Sequence, residues 1–189
     1  MQPLAEHPVS KVTGSPGARG QITVAIISDT HTRLDTRIRE IVAQADIAIH
    51  AGDIGNANVL SAMRPISGRV IAVTGNNDVP VLWPYDQIDS LELIPDIAHL
   101  DLPGGSIAIE HGDLRHGNTP DHQSLREAHP NARLVIYGHT HRLVIDDAHT
   151  PWVANPGAAG FTRTYGGPSC LLLIASPNDW KINIYRFKE

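Results

Sequence analysis

Ile22-Thr-Val-Ala-Ile-Ile27-Ser-Asp29-Thr-His31 sets the reading of the whole chain. A short apolar run rich in β-branched residues predicts a buried strand. It stops on Ser28, Asp29, Thr30 and His31. A buried strand that ends in a polar cluster is how α/β proteins build sites, because side chains at strand C-termini face a common crevice. The next segments repeat the plan. Residues 33–44 carry Leu34, Ile38, Ile41 and Val42 at helical spacing, with Arg37, Arg39 and Glu40 on the other face. Asp46-Ile-Ala-Ile-His50 predicts a second strand, which runs into Ala51-Gly52-Asp53. Residues 56–67 predict a second helix, with Asn56 or Asn58 as N-cap and Gly68 as its stop. Arg69-Val-Ile-Ala-Val73 predicts a third strand, followed by Thr74-Gly75-Asn76-Asn77-Asp78. Strands alternating with helices predict the α/β class, with parallel strands and right-handed crossovers.

Beyond Tyr85 the character changes. Leu91 to Leu102 and Ser106 to Glu110 flank the turn signal Pro103-Gly104-Gly105, which predicts a hairpin. Its second strand ends in His111-Gly112. Asp121 to His129 predicts a short helix closed by Pro130. Leu134-Val-Ile-Tyr137 then predicts a buried strand ending in Gly138-His139-Thr140-His141. On an extended backbone, residues two apart point the same way, so His139 and His141 are expected to project together. Further strands are expected at Arg142 to Asp146 and Trp152-Val-Ala, the latter followed by Asn155-Pro156-Gly157. A last hairpin is expected from Cys170 to Ala175 and Trp180 to Phe187.

The totals exclude several classes. A chain of 189 residues supports one domain with a substantial core. We read residues 1–20 as a flexible tail and 21–189 as the domain. A net charge of −5 offers no basic field for bulk nucleic-acid binding. No apolar segment is long enough to span a bilayer, and Met1 to Gly20 has no secretory h-region. The single cysteine, Cys170, rules out an intrachain disulfide; it reads as a small buried hydrophobe and fits a cytoplasmic protein.

Five predicted strand ends carry oxygen or nitrogen donors: Asp29 with His31, Asp53, Asn76, His111, and His139 with His141. Seven donors are too many for one open catalytic ion and suit two, which hydrolytic sites hold roughly 3.5–4 Å apart. A shared site of that kind needs a bridge, and a carboxylate can bridge where a neutral imidazole cannot. Asp29 and Asp53 are the candidates. The donors include no thiolate, so they suit Mn²⁺, Zn²⁺, Fe or Co²⁺; of these Mn²⁺ is the expected ion, and Ni²⁺ is a further possibility. Two divalent ions bring more positive charge than two aspartates and a hydroxide return, so an anion is the natural ligand. A phosphate fits. A metal-bound hydroxide would attack its phosphorus in line, since metal binding lowers the pKa of water from about 16 to about 7. Small phosphoester hydrolysis is therefore the expected reaction.

Asp29-x-His31, Gly52-Asp53, Gly75-Asn76-x-Asp78, His111-Gly112 and Gly138-His139-x-His141 resemble, in order and spacing, the motifs of the calcineurin-like metallophosphoesterases. They look closest to the small bacterial and archaeal phosphodiesterases, over about Ile22 to the C-terminus. The resemblance implies a four-layer α-β-β-α sandwich of two mixed β-sheets flanked by helices. It implies that Asp29, His31 and His141 hold one ion, that Asn76, His111 and His139 hold the other, and that Asp53 bridges them. Asp53, Asn76 and His111 would also serve catalysis by positioning hydroxide and phosphate. A phosphomonoesterase, or a non-catalytic protein-binding scaffold on the same fold, are the alternatives, and a homodimer or higher homo-oligomer is compatible. Many relatives carry a histidine at the place of Asn77 that protonates the leaving group. Asparagine cannot transfer a proton, so a bias toward good leaving groups is expected. Asp78 is read as holding a neighbouring histidine, Asp113 as orienting a ligand, and Arg163 as a clamp for phosphate. Arg115 and His116 are taken as surface residues, and His50 as a packed core residue. His122 and His129 show no evident partner.

Overall fold

The computed structural model describes residues 20–113 and 120–188. The tail expected at 1–20 lies outside these except for Gly20, and so do Arg115 and His116. In chain order the first half contains β1 (Ile22–Ile27), α1 (Thr36–Gln44), β2 (Ile47–Ala51), α2 (Ala57–Ala62), β3 (Arg69–Val73) and a single helical turn, α3 (Ile88–Leu91). The second half contains β4 (Ile97–Leu102), β5 (Gly105–Glu110), α4 (His122–Ala128), β6 (Leu134–Ile136), β7 (Leu143–Asp146), β8 (Trp152–Pro156), β9 (Ser169–Ala175) and β10 (Trp180–Arg186).

The strands form two five-stranded sheets, ordered β10-β9-β1-β2-β3 and β4-β5-β6-β8-β7. In the first, β1, β2 and β3 run parallel, as the strand–helix alternation predicts, and the β9–β10 hairpin adds antiparallel to β1. In the second, β5, β6 and β8 are parallel, flanked by antiparallel β4 and β7. Both sheets are therefore mixed.

The period of two along each strand builds the layers. Ile22, Val24 and Ile26 of β1 meet Ile107 and Ile109 of β5 and Leu134 and Ile136 of β6 in the core between the sheets. The alternate residues Ala25 and Ile27 turn the other way, onto Ile38 and Val42 of α1. On the far side Ala108, Val135 and Val153 pack beneath Leu125 of α4. The result is the expected α-β-β-α sandwich. Cys170 lies in the layer with α1, where burial pushes its thiol up to about 12. It is inert packing.

Three element boundaries differ from the sequence reading by three residues or more. The strand expected from Leu91 begins only at Ile97; Leu91 closes α3, and the Ile94 amide donates to the Leu91 carbonyl at 2.9 Å. Pro95 has no N–H to give a ladder, so pairing cannot start before it. The helix expected to reach Ser67 stops at Ala62, because Pro65 cannot continue it. Its N-cap is Asn56, whose side chain accepts from the Val59 amide. Likewise α1 starts at Thr36, where the Asp35 carboxylate accepts from the Arg37 amide.

Candidate metal centre

Loops after β1, β2, β3, β5 and β6 interlock at one end of the sandwich. The Asp29 amide donates to the Gly52 carbonyl, the His31 amide to Asp53, and the Gly138 amide to His111, each at 3.0 Å. The backbone here is unlike the extended one that residue spacing suggests. Asp29, His31, Asp53, His139 and His141 all have positive φ, between 42° and 65°. Non-glycine residues rarely occupy that region and persist there only where the surroundings hold them. His139 and His141 thus do not project as neighbours on a strand. They diverge.

His141 Nε2 lies 3.1 Å from His31 Nε2 and 3.3 Å from Asp29 Oδ1. His139 turns its Nδ1 to Asn76 Oδ1, 2.8 Å away. Asp53 stands between, with one oxygen 3.5 Å from His31 Nε2 and the other 3.5 Å from His111 Nε2. The seven residues singled out in the sequence therefore meet in one place, in two groups that share Asp53.

Three observations test whether a divalent cation suits this cluster. Asp29, His31, Asp53 and His141 offer donor atoms that all lie within 4.8 Å of one another. The His141 Nδ1–H donates to the Thr162 carbonyl and the His111 Nδ1–H to the Ala51 carbonyl, both at 2.8 Å, which leaves each Nε2 lone pair facing inward. His111 Nε2 is buried and has no hydrogen-bond partner among the described residues, a costly arrangement for a polar atom. Once His111 gives up its proton, imidazole lone pairs and carboxylate oxygens converge on one spot, and these residues fit a divalent cation there.

The electrostatics agree. Burial, with Arg163 beside it, pushes the His141 ring down to about 4, and burial also lowers His31 and His139. These rings are neutral at pH 7 and ready to ligate. Burial pushes Asp29 up to about 7. Burial opposes charge on His111 too, but Asp53 and Asp29 outweigh it and hold the ring up at about 9. Burial would raise Asp53, yet His111 and the Asn77 hydrogen bonds hold it well below the usual carboxylate range. A metal must displace the protons on Asp29 and His111, whose raised values favour the protonated, non-ligating forms. Metal affinity is therefore expected to rise from pH 6 to pH 9 by about one to two powers of ten per unit, then level off. Calorimetry in buffers of different ionisation heat measures the released protons; release of none at pH 6 contradicts the assignment.

Gly52 shows why glycine stands beside the donors. Its φ is 88°, and a Cβ there would lie 2.7 Å from His111 Cγ. Gly52→Ala is expected to cost about 2 kcal/mol or more, from left-handed strain plus displacement of the His111 ring, and to weaken metal binding. Urea unfolding with and without metal checks both effects.

The remaining candidates fall as follows. Asn77 donates to Asp53 twice, from its backbone amide at 2.9 Å and from Nδ2 at 2.7 Å. Asp78 does not hold a histidine, as the sequence reading had it. Its carboxylate accepts from the amides of Ile54, Gly55 and Gly75 and from Trp83 Nε1, so it ties the β2 and β3 loops together. His111 is oriented by the Ala51 carbonyl, not by Asp113. Arg163 Nη2 lies 3.0 Å from His141 Nε2, beside the cluster. Asn155 donates to the Gly138 carbonyl at 2.6 Å and so braces the loop that carries His139. His50 is buried and lies 2.9 Å from the Thr30 hydroxyl.

Sequence reasoning missed partners for two histidines. His129 is buried 2.7 Å from Glu110, and His122 lies 2.7 Å from Asp146. Both pairs join different elements, 19 and 24 residues apart, so no local spacing marks them. A cavity of about 650 Å³ opens over the cluster, lined by Asp53, Asn76, His139, Arg142, Arg163 and His122 among others.

Residues 22–177 match the calcineurin-like phosphoesterase superfamily domain. A phosphodiesterase of Methanocaldococcus jannaschii is 31% identical over 146 residues, which cover 71% of this chain and 82% of that protein. A probable metallophosphoesterase of the same archaeon is 27% identical over 151 residues, 76% of this chain and 71% of that one. Among solved structures, an archaeal phosphodiesterase superposes with a TM-score of 0.62 at 25% identity, covering 87% of this chain and all of that one. A single mutant of Vps29 from Entamoeba histolytica superposes at 0.67 with 17% identity, covering 88% of this chain and all of that one, a likeness of fold.

Proposed function

The chain belongs to the calcineurin-like phosphoesterase superfamily, and from that premise we propose a phosphodiesterase that works with two divalent ions, Mn²⁺ before Zn²⁺, Fe, Co²⁺ or Ni²⁺. The observation that carries this reading is the convergence of donor atoms around Asp53, with the buried His111 Nε2 turned in and without a hydrogen-bond partner among the described residues. Asp29, His31 and His141 would hold one ion, Asn76, His111 and His139 the other, and the two oxygens of Asp53 would serve both. When bound, the ions supply the chemistry: they draw phosphate oxygens and make water acidic enough to act as the in-line nucleophile near neutral pH.

The chain's own residues do the rest. Asn77 fixes the Asp53 carboxylate through both of its hydrogen bonds. Arg163 and Arg142 line the cavity and place guanidinium groups where an anion enters. The cavity volume of about 650 Å³ suits a small phosphoester. Among the described residues no helix is long and apolar enough to cross a membrane. With its single buried cysteine, the chain is proposed to act in the cytoplasm.

Metal-stripped protein reloaded with Mn²⁺ is expected to hydrolyse bis(4-nitrophenyl) phosphate faster than 4-nitrophenyl phosphate, and to lose both activities with a chelator. Faster turnover of the monoester makes it a phosphomonoesterase. Full metal occupancy with no turnover of either ester favours a protein-binding scaffold.

A further inference from the structure

The leaving oxygen of a phosphoester needs a proton, and most of the described residues that line the cavity cannot give one. Asn77 is an amide, which does not release protons near neutral pH, and its Nδ2 and backbone N–H both donate to Asp53. Arg142 and Arg163 do not release protons near neutral pH. His139 belongs to the donor cluster, and burial pushes the Tyr137 hydroxyl up to about 12. His122 lines the same cavity as Asp53, Asn76 and Asn77 and lies outside the cluster.

We propose that His122 donates the proton to the leaving oxygen, with Asp146 as its positioning residue. The geometry is that of a held imidazole. His122 opens α4, and its Nδ1–H donates to Asp146 Oδ2 on β7 at 2.7 Å. The same Asp146 oxygen meets Arg126 Nη2 at 2.8 Å. Arg126 and His122 together hold the Asp146 carboxyl down to about 2, so it accepts at any working pH. That contact fixes the tautomer and leaves Nε2 as the exchanging nitrogen. In the free protein Nε2 is engaged by the Tyr137 hydroxyl at 3.0 Å, a contact that the leaving oxygen would replace; the two rings meet edge-on with centroids 5.6 Å apart. The His122 side chain is 26% exposed, open on the cavity side where a substrate reaches it.

In the step, the P–O bond to the leaving group breaks and its electron pair stays on the leaving oxygen. That oxygen takes the proton from Nε2, the imidazolium becomes a neutral imidazole, and solvent water restores its proton. The water that attacks phosphorus supplies the other product oxygen. On this reading the bias toward good leaving groups expected from Asn77 is relieved by a donor from another element.

The inference rests on the phosphoesterase reading above, so its test separates the two. Aryl methyl phosphates with leaving phenols from 4-nitrophenol to unsubstituted phenol are assayed on the Mn²⁺-loaded full chain. His122→Gln is expected to lose at least about tenfold more rate on the phenyl ester than on the 4-nitrophenyl ester, since general acid catalysis is worth about 10²–10⁴-fold. Asp146→Asn should shift the series in the same sense by less. Equal loss across the series would make His122 a clamp between α4 and β7 and overturn the inference. Wild-type protein that binds metal and hydrolyses none of the series overturns the phosphoesterase reading itself. A readout independent of turnover and of mutant folding uses the Zn²⁺-loaded wild type. Titrating inorganic phosphate should move the His122 ring NMR signals; shifts confined to other histidines refute the contact.

Discussion

Asp53→Asn is expected to cut phosphodiester turnover by about a thousandfold or more while the protein stays folded. Asparagine keeps the volume of Asp53 and tolerates its φ of 55° as well as aspartate does, so the backbone loses little. What changes is charge and donor count. Asp53 is the one residue whose two oxygens face both halves of the cluster, one 3.5 Å from His31 Nε2 and the other 3.5 Å from His111 Nε2. An amide offers one oxygen and no charge, so it cannot serve two cations. Losing transition-state stabilisation of several kcal/mol corresponds to about three powers of ten in rate. The loss should appear in kcat at saturating Mn²⁺, with metal content falling below two ions per chain. A variant indistinguishable from wild type in rate and metal content would remove Asp53 from the mechanism.

The second large effect separates His139 from His141. His139→Ala is expected to weaken the ion shared with Asn76 and His111, and His141→Ala the ion shared with Asp29 and His31, each by about 10- to 100-fold or more. The basis is the divergence of the two rings. His139 Nδ1 faces Asn76 Oδ1 at 2.8 Å, while His141 Nε2 faces His31 Nε2 and Asp29 Oδ1. On the proposed two-ion mechanism, each variant should keep one tight ion and lose most activity. Stepwise metal titration by calorimetry reads the two affinities. Equal weakening of both ions in both variants would contradict the division.

Much of this arrangement is legible in the sequence because its signals are short-range. The runs at β1 and β3 read directly as strands, and each donor stands within a few residues of the end of an apolar run. What stayed hidden depends on distant contacts. Left-handed backbone at Asp29, His31, Asp53, His139 and His141 is imposed by loops locking onto one another, and donor spacing alone suggests extended chain. Asp78 looks like a partner for a histidine by proximity, yet three backbone amides and Trp83 claim its carboxylate. His122 sits in an ordinary helix start and acquires meaning only when β7 brings Asp146 beside it. Pro95, by contrast, is visible in the sequence, and its missing N–H limits where β4 can begin within the β-forming run around it.

The proposed mechanism requires two metal ions per chain, both of them needed for hydrolysis. Metal content measured on stripped protein as Mn²⁺ is added back, with bis(4-nitrophenyl) phosphate turnover followed in the same samples, tests it most directly. Turnover should stay low through the first equivalent and rise through the second, reaching its plateau at two ions per chain. Saturation at one ion per chain with full turnover, or two bound ions with none, would contradict it.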